Sequence, residues 1–188
     1  MKKPRKLHGT YFKSIDSLIN SLDAVRTKKD RVVLTQGVFD LIHEGHAKYL
    51  ELAKTHGTIL IVGIDSDRLT KQRKGPNRPI VPQKERIDML LHLRHVDAVV
   101  LRDIKDDIGD LIRAVKPDVL ITSTSTKDFT KELVDEYREH CKEIITLPPQ
   151  STTSTTARIR ELIIDGAAAL AKEINALTLE FINKIRNA

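Results

Sequence analysis

Residues 31–64 decide the fold, and they read RVVLTQGVFDLIHEGHAKYLELAKTHGTILIVGI. The β-branched run Arg31–Gln36 is typical of a strand. Glu44–Thr55 has apolar residues at helical spacing, and Thr58–Ile64 is a continuous apolar run typical of a strand buried on both faces. A strand, a helix and a second strand in this order predict a parallel βαβ unit.

The same alternation continues toward the C-terminus. Further strands are predicted at Val96–Leu101, Asp118–Thr122 and Lys142–Leu147, and helices at Gln83–His92, Asp107–Val115 and Phe129–Glu139. The polar stretch Asp65–Val81, with Gly75, Pro76 and Pro79, is predicted to be irregular. The pattern predicts an α/β fold: a Rossmann-like, doubly wound parallel sheet with helices on both faces. In such sheets ligands bind at the carboxyl ends of the strands, so candidate site residues directly follow strands.

Three segments are expected. Residues 1–30 form a basic arm (1–13) and a short helix beginning at Ser14, and residues 31–165 form the α/β domain. Residues 166–188 form an amphipathic helix, because a stripe of apolar residues lies three or four apart: Leu170, Ile174, Leu177, Phe181 and Ile185. That stripe either packs on the domain or forms a homodimer contact, and the sequence leaves both open.

Composition narrows the function classes. The chain has 188 residues, which suits one core, and its single cysteine excludes an internal disulfide framework. The apolar runs are too short to cross a bilayer and no apolar stretch follows the basic residues 1–6, so we expect a cytoplasmic protein without membrane contact. A net charge of +6 indicates anionic ligands. Aromatic residues make up only 4% of the chain, which argues against nucleic acid and favours a small phosphorylated ligand.

The residues between the first strand and the first helix of the βαβ unit form the most specific motif. Gly37 allows a tight turn, and the following helix N-terminus presents free N–H groups that suit phosphate oxygens. His43 and His46 lie one turn apart there and can donate to those oxygens. Three alternatives compete: a metal site with Asp40 or Glu44, structural histidines, or a simple turn. The combined motif favours phosphate binding.

This motif resembles G-x-F-D-x-x-H-x-G-H, the signature of the cytidylyltransferase-like nucleotidyltransferases. All of its fixed positions are matched, by Gly37, Phe39, Asp40, His43, Gly45 and His46. The resemblance implies that His43 and His46 contact a nucleoside triphosphate and stabilise the transition state. It also implies that the backbone of Gln36, Gly37, Val38 and Phe39 lines the nucleotide site, with Asp40 and Gly45 beside it.

A second motif follows the next strand and is similar to S-D-x-x-x-K-x-x-K-G-x-x-R-P of bacterial heptose-phosphate adenylyltransferases. The matching residues are Ser66, Asp67, Lys71, Lys74, Gly75, Arg78 and Pro79. The resemblance implies that Asp67 lies at the nucleotide and that Lys71 bridges nucleotide and acceptor phosphates. Arg86, in the family's E-R helix start, is expected to hold phosphate in its planar fork. A surface arginine is the alternative for Arg86.

A third motif, Ser154-Thr155-Thr156 with Ile159, is similar to the family's S-T-T-x-x-I, whose hydroxyls face the nucleotide phosphates. Simple helix capping is the alternative, and Ser151-Thr152-Thr153 offers a second register. The chain departs from the family at Thr122–Asp128, which replaces K-G-x-D-Y. That loop helps form the base and acceptor sites in the family, so both specificities stay open.

Taken together, the resemblance implies transfer of a nucleotidyl group, AMP in first place, from a nucleoside triphosphate to a sugar or polyol phosphate. Pyrophosphate leaves, and Mg²⁺ accompanies the triphosphate. No nucleophilic side chain and no protein metal ligand is required. Two alternatives remain: a CTP-dependent enzyme acting on glycerol phosphate or a similar alcohol phosphate, and a non-catalytic nucleotide-binding regulatory module.

Overall fold

A six-stranded, wholly parallel sheet forms the centre of the fold in the computed structural model, which describes residues 7–124, 131–150 and 155–186. The strands are β1 (Thr10–Phe12), β2 (Val32–Gly37), β3 (Ile59–Asp65), β4 (Ala98–Arg102), β5 (Val119–Ser123) and β6 (Glu143–Leu147). The helices are α1 (Ile15–Val25), α2 (Glu44–Lys54), α3 (Asp67–Lys74), α4 (Gln83–His92), α5 (Asp110–Val115), α6 (Lys131–Tyr137) and α7 (Thr155–Arg186).

The strand order is β1-β4-β3-β2-β5-β6, and every pairing is parallel. From β2 the chain builds the sheet outward through β3 and β4, and then returns to place β5 on the other side of β2. The order therefore reverses between β2 and β5. Crevices at such a switch point are where open α/β sheets bind ligands, and the segment that follows Gly37 begins there.

Helices cover both faces of the sheet. On one face Leu34 of β2 packs in a cluster with Leu18 of α1 and Leu111 of α5. On the other, its neighbour Val33 packs with Leu50 of α2, and Leu90 of α4 joins the same cluster. Successive strand residues point to opposite faces, so the continuous apolar runs read from the sequence supply both cores. The predicted Rossmann-like, doubly wound fold is confirmed.

Two predictions of irregular structure are wrong. Residues 10–12, within the expected arm, form an edge strand that pairs with β4 and buries Phe12. The stretch 65–81 contains helix α3, which begins because the Ser66 side chain accepts the backbone N–H of Leu69 and ends at Gly75, where φ is +96°. The helix thus ends where the glycines and prolines that suggested a loop begin.

The C-terminal helix is a compact unit of its own. Residues 152–188 cluster separately from residues 1–151, and α7 is one continuous helix of 32 residues. Leu170, Ile174 and Leu177 of the predicted stripe are exposed, at 58%, 54% and 66%, whereas Phe181 and Ile185 have side chains outside the described set. Both uses of the stripe stay predictions. Among the described residues, no helix is long and apolar enough to span a membrane.

Candidate active site

The N-terminus of α2 is built by the two histidines of the motif. His43 is the N-cap, and its Nδ1 accepts the backbone N–H of Gly45 at 3.0 Å. In return, Nδ1 of His46 accepts the backbone N–H of His43 at 3.4 Å. The two imidazoles therefore form a reciprocal capping box, and their ring centroids lie 4.2 Å apart.

This capping fixes how each ring can act. A ring nitrogen that accepts a hydrogen bond carries no proton, so both neutral rings carry theirs on Nε2 and can donate it. Burial is the main cause that lowers the pKa of His46 to about 4. Repulsion by a protonated His43 and by Lys74 adds to the shift, and Asp40 opposes it. His46 is therefore a neutral donor at pH 7. With His43 it places two N–H groups at a helix end that already favours anions.

The loop between β2 and α2 is shaped by its backbone. Phe39 and Leu41 have φ values of +51° and +47°, in the left-handed region that L residues seldom adopt. The ring of Phe39 is buried and lies 5.6 Å from that of His46, centroid to centroid. A Cβ on Gly37 would lie 3.2 Å from the same ring, tighter than an ordinary contact, so the ring would have to shift by a few tenths of an ångström to admit it. The side chain of Gln36 donates to the carbonyl of Ile108.

Tyr49 ties α2 to the strand ends at the switch point. Its hydroxyl lies 2.7 Å from Thr35 Oγ1 of β2 and donates to the carbonyl of Ile121 of β5 at 3.4 Å. Burial raises the pKa of Tyr49 to about 12, so the phenol keeps its proton. The helix that presents the histidines is thus fixed to both strands between which the sheet order reverses.

Asp40 joins this loop to residues 78–81. Its carboxylate accepts the backbone N–H groups of Ile80 and Val81 and a guanidinium N–H of Arg78, at 2.9–3.1 Å. Burial alone would raise the pKa of Asp40, but these three donors outweigh it and lower the pKa. Asp40 is therefore an ionised carboxylate engaged with protein donors. Contact between Asp40 and a nucleotide remains a prediction.

Arg86 has a structural role at the strand ends. It is 1% exposed, and its guanidinium donates to the carbonyls of Val38, Asp65 and Val81 and to the Asp67 carboxylate. The donors of Arg86 that form these bonds face protein acceptors, and phosphate contact by Arg86 stays a prediction. Arg86 joins the loop after β2, the end of β3 and the start of α3. Asp67, expected at the nucleotide, is its ion-pair partner.

Helix α3 supplies the cations of the site. Lys71 and Lys74 are both exposed and lie one turn apart, so they share a face. The charge of Lys74 is one cause of the lowered pKa of His46, so Lys74 lies within electrostatic reach of the histidine pair. Sequence reasoning assigned a specific role to Lys71 only, and phosphate contact by either lysine stays a prediction. The signal for Lys74 was present, because Lys74 occupies the K-G position of the second motif.

The metal-site alternative for the histidines finds no support in the part of the chain that is described. No group of three or more His, Cys, Asp or Glu side chains there is arranged to hold an ion. Nδ1 of both histidines accepts backbone N–H groups, and Glu44 pairs with Lys48. Ser154 lies outside the described residues, as do the side chains of Thr155 and Thr156, so the third motif stays a prediction.

Comparisons with known proteins show the family of this chain. A profile described as cytidylyltransferase-like matches residues 34–162. Two relatives named bifunctional protein HldE match 79% of the chain each: that of Helicobacter acinonychis (strain Sheeba) is 40% identical over 149 residues, and that of Geotalea uraniireducens (strain Rf4) is 36% identical over 151. The chain spans only 30% and 31% of their lengths.

Solved structures agree on the fold. A lipopolysaccharide core biosynthesis protein from Thermoplasma volcanium GSS1 superposes with a TM-score of 0.57 at 26% identity, covering 64% of this chain and 98% of that one. The pantoate-beta-alanine ligase of Francisella tularensis, crystallised with beta-gamma ATP and beta-alanine, gives 0.58 at 16% identity over 78% of this chain and 68% of its own. At that identity the second likeness supports the fold alone.

Proposed function

Since this chain belongs to the cytidylyltransferase-like family, whose profile matches residues 34–162, we propose that it is a nucleotidyltransferase. It transfers a nucleotidyl group, AMP in first place, from a nucleoside triphosphate to a sugar or polyol phosphate and releases pyrophosphate. One observation carries the proposal: the reciprocal cap that leaves Nε2–H of His43 and His46 as donors at the α2 N-terminus.

The proposed reaction is an in-line displacement at the α-phosphorus. An acceptor phosphate oxygen forms the new P–O bond, the bond to the bridging oxygen breaks, and pyrophosphate takes the electron pair. The attacking oxygen is already anionic at pH 7, so no general base is required. Because both reactants are anions, the protein has to position them and to offset charge that grows in the transition state.

The described residues suit that task. His43 and His46 donate to phosphate oxygens as neutral groups, and the helix N-terminus adds its partial positive charge. Lys74 and Lys71 add mobile cations from α3. Mg²⁺, when bound, would offset phosphate charge. Phosphate oxygens are ligands that Mg²⁺ takes with nucleotides, and they would hold it here.

ATP is proposed ahead of CTP because α3 and the segment after it carry the K-x-x-K-G-x-x-R-P pattern of the adenylyl-transferring branch, from Lys71 to Pro79. The sugar or polyol acceptor is supported by the same pattern. The relatives named HldE, 33–41% identical across those compared, support the same branch.

A pyrophosphate-release assay tests the proposal. ATP or CTP is incubated with Mg²⁺ and a panel of sugar and polyol phosphates, and the nucleotidylated product is identified by mass. We expect release with ATP and a sugar phosphate, and its loss in His46→Ala. Release only with CTP and glycerol phosphate would replace the proposal with the cytidylyl alternative. Nucleotide binding without release from any acceptor would contradict catalysis and support the regulatory module.

A further inference from the structure

Helix α3 carries the lysines of the site but has little apolar surface to hold it. Only Leu69 and Thr70 of its eight residues are buried. Apolar burial is the usual anchor of a short helix, and a helix of this length is unstable alone in water. Polar contacts therefore have to fix where α3 lies and how it is rotated about its axis.

The strongest such contact is a buried ion-pair cluster at the strand ends. Asp65, the last residue of β3, is 0% exposed. One of its oxygens accepts from Arg73 of α3 at 2.6 Å, and the other accepts from Arg102, the last residue of β4, at 3.1 Å. Arg102 is 2% exposed and the Arg73 side chain 22% exposed. A carboxylate removed from water in this way depends on both partners, so the arrangement is strongly held.

The cluster fixes the rotation of α3. Successive residues of an α-helix are about 100° apart around its axis. Lys74 and Lys71 therefore lie about 100° and 160° from Arg73, and about 60° from each other. With Arg73 drawn inward to Asp65, both lysines are turned outward, where they are exposed.

We propose that Arg73, held by Asp65, is a positioning residue that sets the rotation of α3 and so the direction in which Lys74 and Lys71 face. The assignment of the lysines to phosphate contact rests on the proposed function, but the rotation of α3 does not. Arg73 acts through these lysines, because its own guanidinium is engaged by a buried carboxylate. Its effect on the site should therefore disappear when both lysines are absent.

The first test needs no substrate. The imidazole of His46 is titrated by NMR in the wild type, Lys74→Ala, Arg73→Met and Arg68→Met. Loss of the Lys74 charge raises the pKa of His46, and Arg73→Met should raise it by about the same amount because Lys74 is displaced. Arg68→Met is the matched control, since Arg68 lies on the same helix but is 68% exposed and pairs with Asp103. It should leave the pKa unchanged.

An Arg73→Met variant whose His46 titrates as in the wild type, while Lys74→Ala shifts it, would overturn the inference. Should Arg73→Met fail to fold, Arg73→Lys takes its place. It keeps a cation for Asp65 with a single point of contact, and a pKa between those of the wild type and Lys74→Ala is expected. If the pKa of His46 in Arg73→Lys equals that of the wild type and the KM for the triphosphate is also unchanged, the inference is likewise overturned.

The second test uses the transfer reaction. Arg73→Met should raise KM for the triphosphate about tenfold or more, because small displacements of charge-bearing groups are costly. In a background that carries both Lys71→Ala and Lys74→Ala, the same substitution should change KM less than about twofold, the signature of residues that act as a unit. Equal fold-changes in both backgrounds would refute the inference. Lack of transfer in the wild type would count against the proposed function alone, because the NMR titration stands apart from it.

Discussion

Replacing Arg86 by methionine should destabilise the fold strongly. Arg86 is buried and donates to three backbone carbonyls, those of Val38, Asp65 and Val81, as well as to Asp67. Methionine fills much of the same space but donates nothing. Two buried acceptors and a partly buried one would then lose a charged donor, and each hydrogen bond of that kind contributes about 1.5–3 kcal/mol.

These contributions do not add, because methionine recovers apolar contact and neighbouring carbonyls can relax. Loss of the ion pair with Asp67 adds little to the destabilisation, because the Asp67 side chain is 32% exposed and can bind water instead. Loss of a buried, hydrogen-bonded charge typically costs about 3–5 kcal/mol, and we expect a value of about 4 kcal/mol here. With a urea m-value of about 2 kcal/mol/M, the unfolding midpoint falls by about 2 M.

Urea unfolding followed by circular dichroism measures this change. Arg86→Lys should lower the free energy of unfolding by about half as much, because an ammonium group reaches fewer of the carbonyls. Arg94→Met is the control: Arg94 is 81% exposed and pairs with Glu51 at 3.4 Å, so solvent screening leaves about 0.5 kcal/mol or less. Ordinary surface substitutions change the free energy of unfolding by about 0.5 kcal/mol, so an Arg86→Met protein within about 1 kcal/mol of the wild type would refute the structural role.

Further predictions concern the histidine pair and its support. His46→Ala should lower kcat about 100-fold or more in the pyrophosphate assay while the circular dichroism spectrum is kept. The pKa of His46 is lowered from 6.5 to about 4, so between these values the unfolded chain binds a proton that the folded chain does not. Stability should therefore fall as pH drops through this window, by up to about 3 kcal/mol, and His46→Asn should flatten that dependence in urea titrations at several pH values. Tyr49→Phe should cost about 1–2 kcal/mol in the same titrations, because the bonds to Thr35 and Ile121 are lost.

The sheet was predictable because its signal is local. Each buried strand is a short apolar run and each covering helix has a 3.6-residue period, so β2, α2 and β3 follow from residues 31–64 alone. Helix α3 was missed because Gly75 and the prolines after it led to a prediction of irregular structure for the whole stretch 65–81. Its start and stop signals were nevertheless present, with Ser66 as cap and Gly75 directly after the last helical residue.

The site was predicted in part. The positions of His43 and His46 at a helix N-terminus followed from the motif, but their mutual capping did not, because capping boxes are usually read from Ser, Thr and Glu. Arg86 was expected at phosphate because Glu85-Arg86 resembles the family's E-R helix start, and a surface arginine was the alternative. Its spacing held a contrary signal, since Arg86, Ile87 and Leu90 share the buried face of α4. The partners of a buried guanidinium come from distant segments, so no local pattern names them.

The central claim is that two neutral imidazoles at the start of α2 donate to a triphosphate. A crystal structure of the protein with a non-hydrolysable ATP analogue and Mg²⁺ tests it most directly. We predict phosphate oxygens at hydrogen-bond distance, about 2.7–3.2 Å, from Nε2 of both His43 and His46. A triphosphate bound away from α2, with both Nε2 atoms facing solvent or protein, would contradict the account.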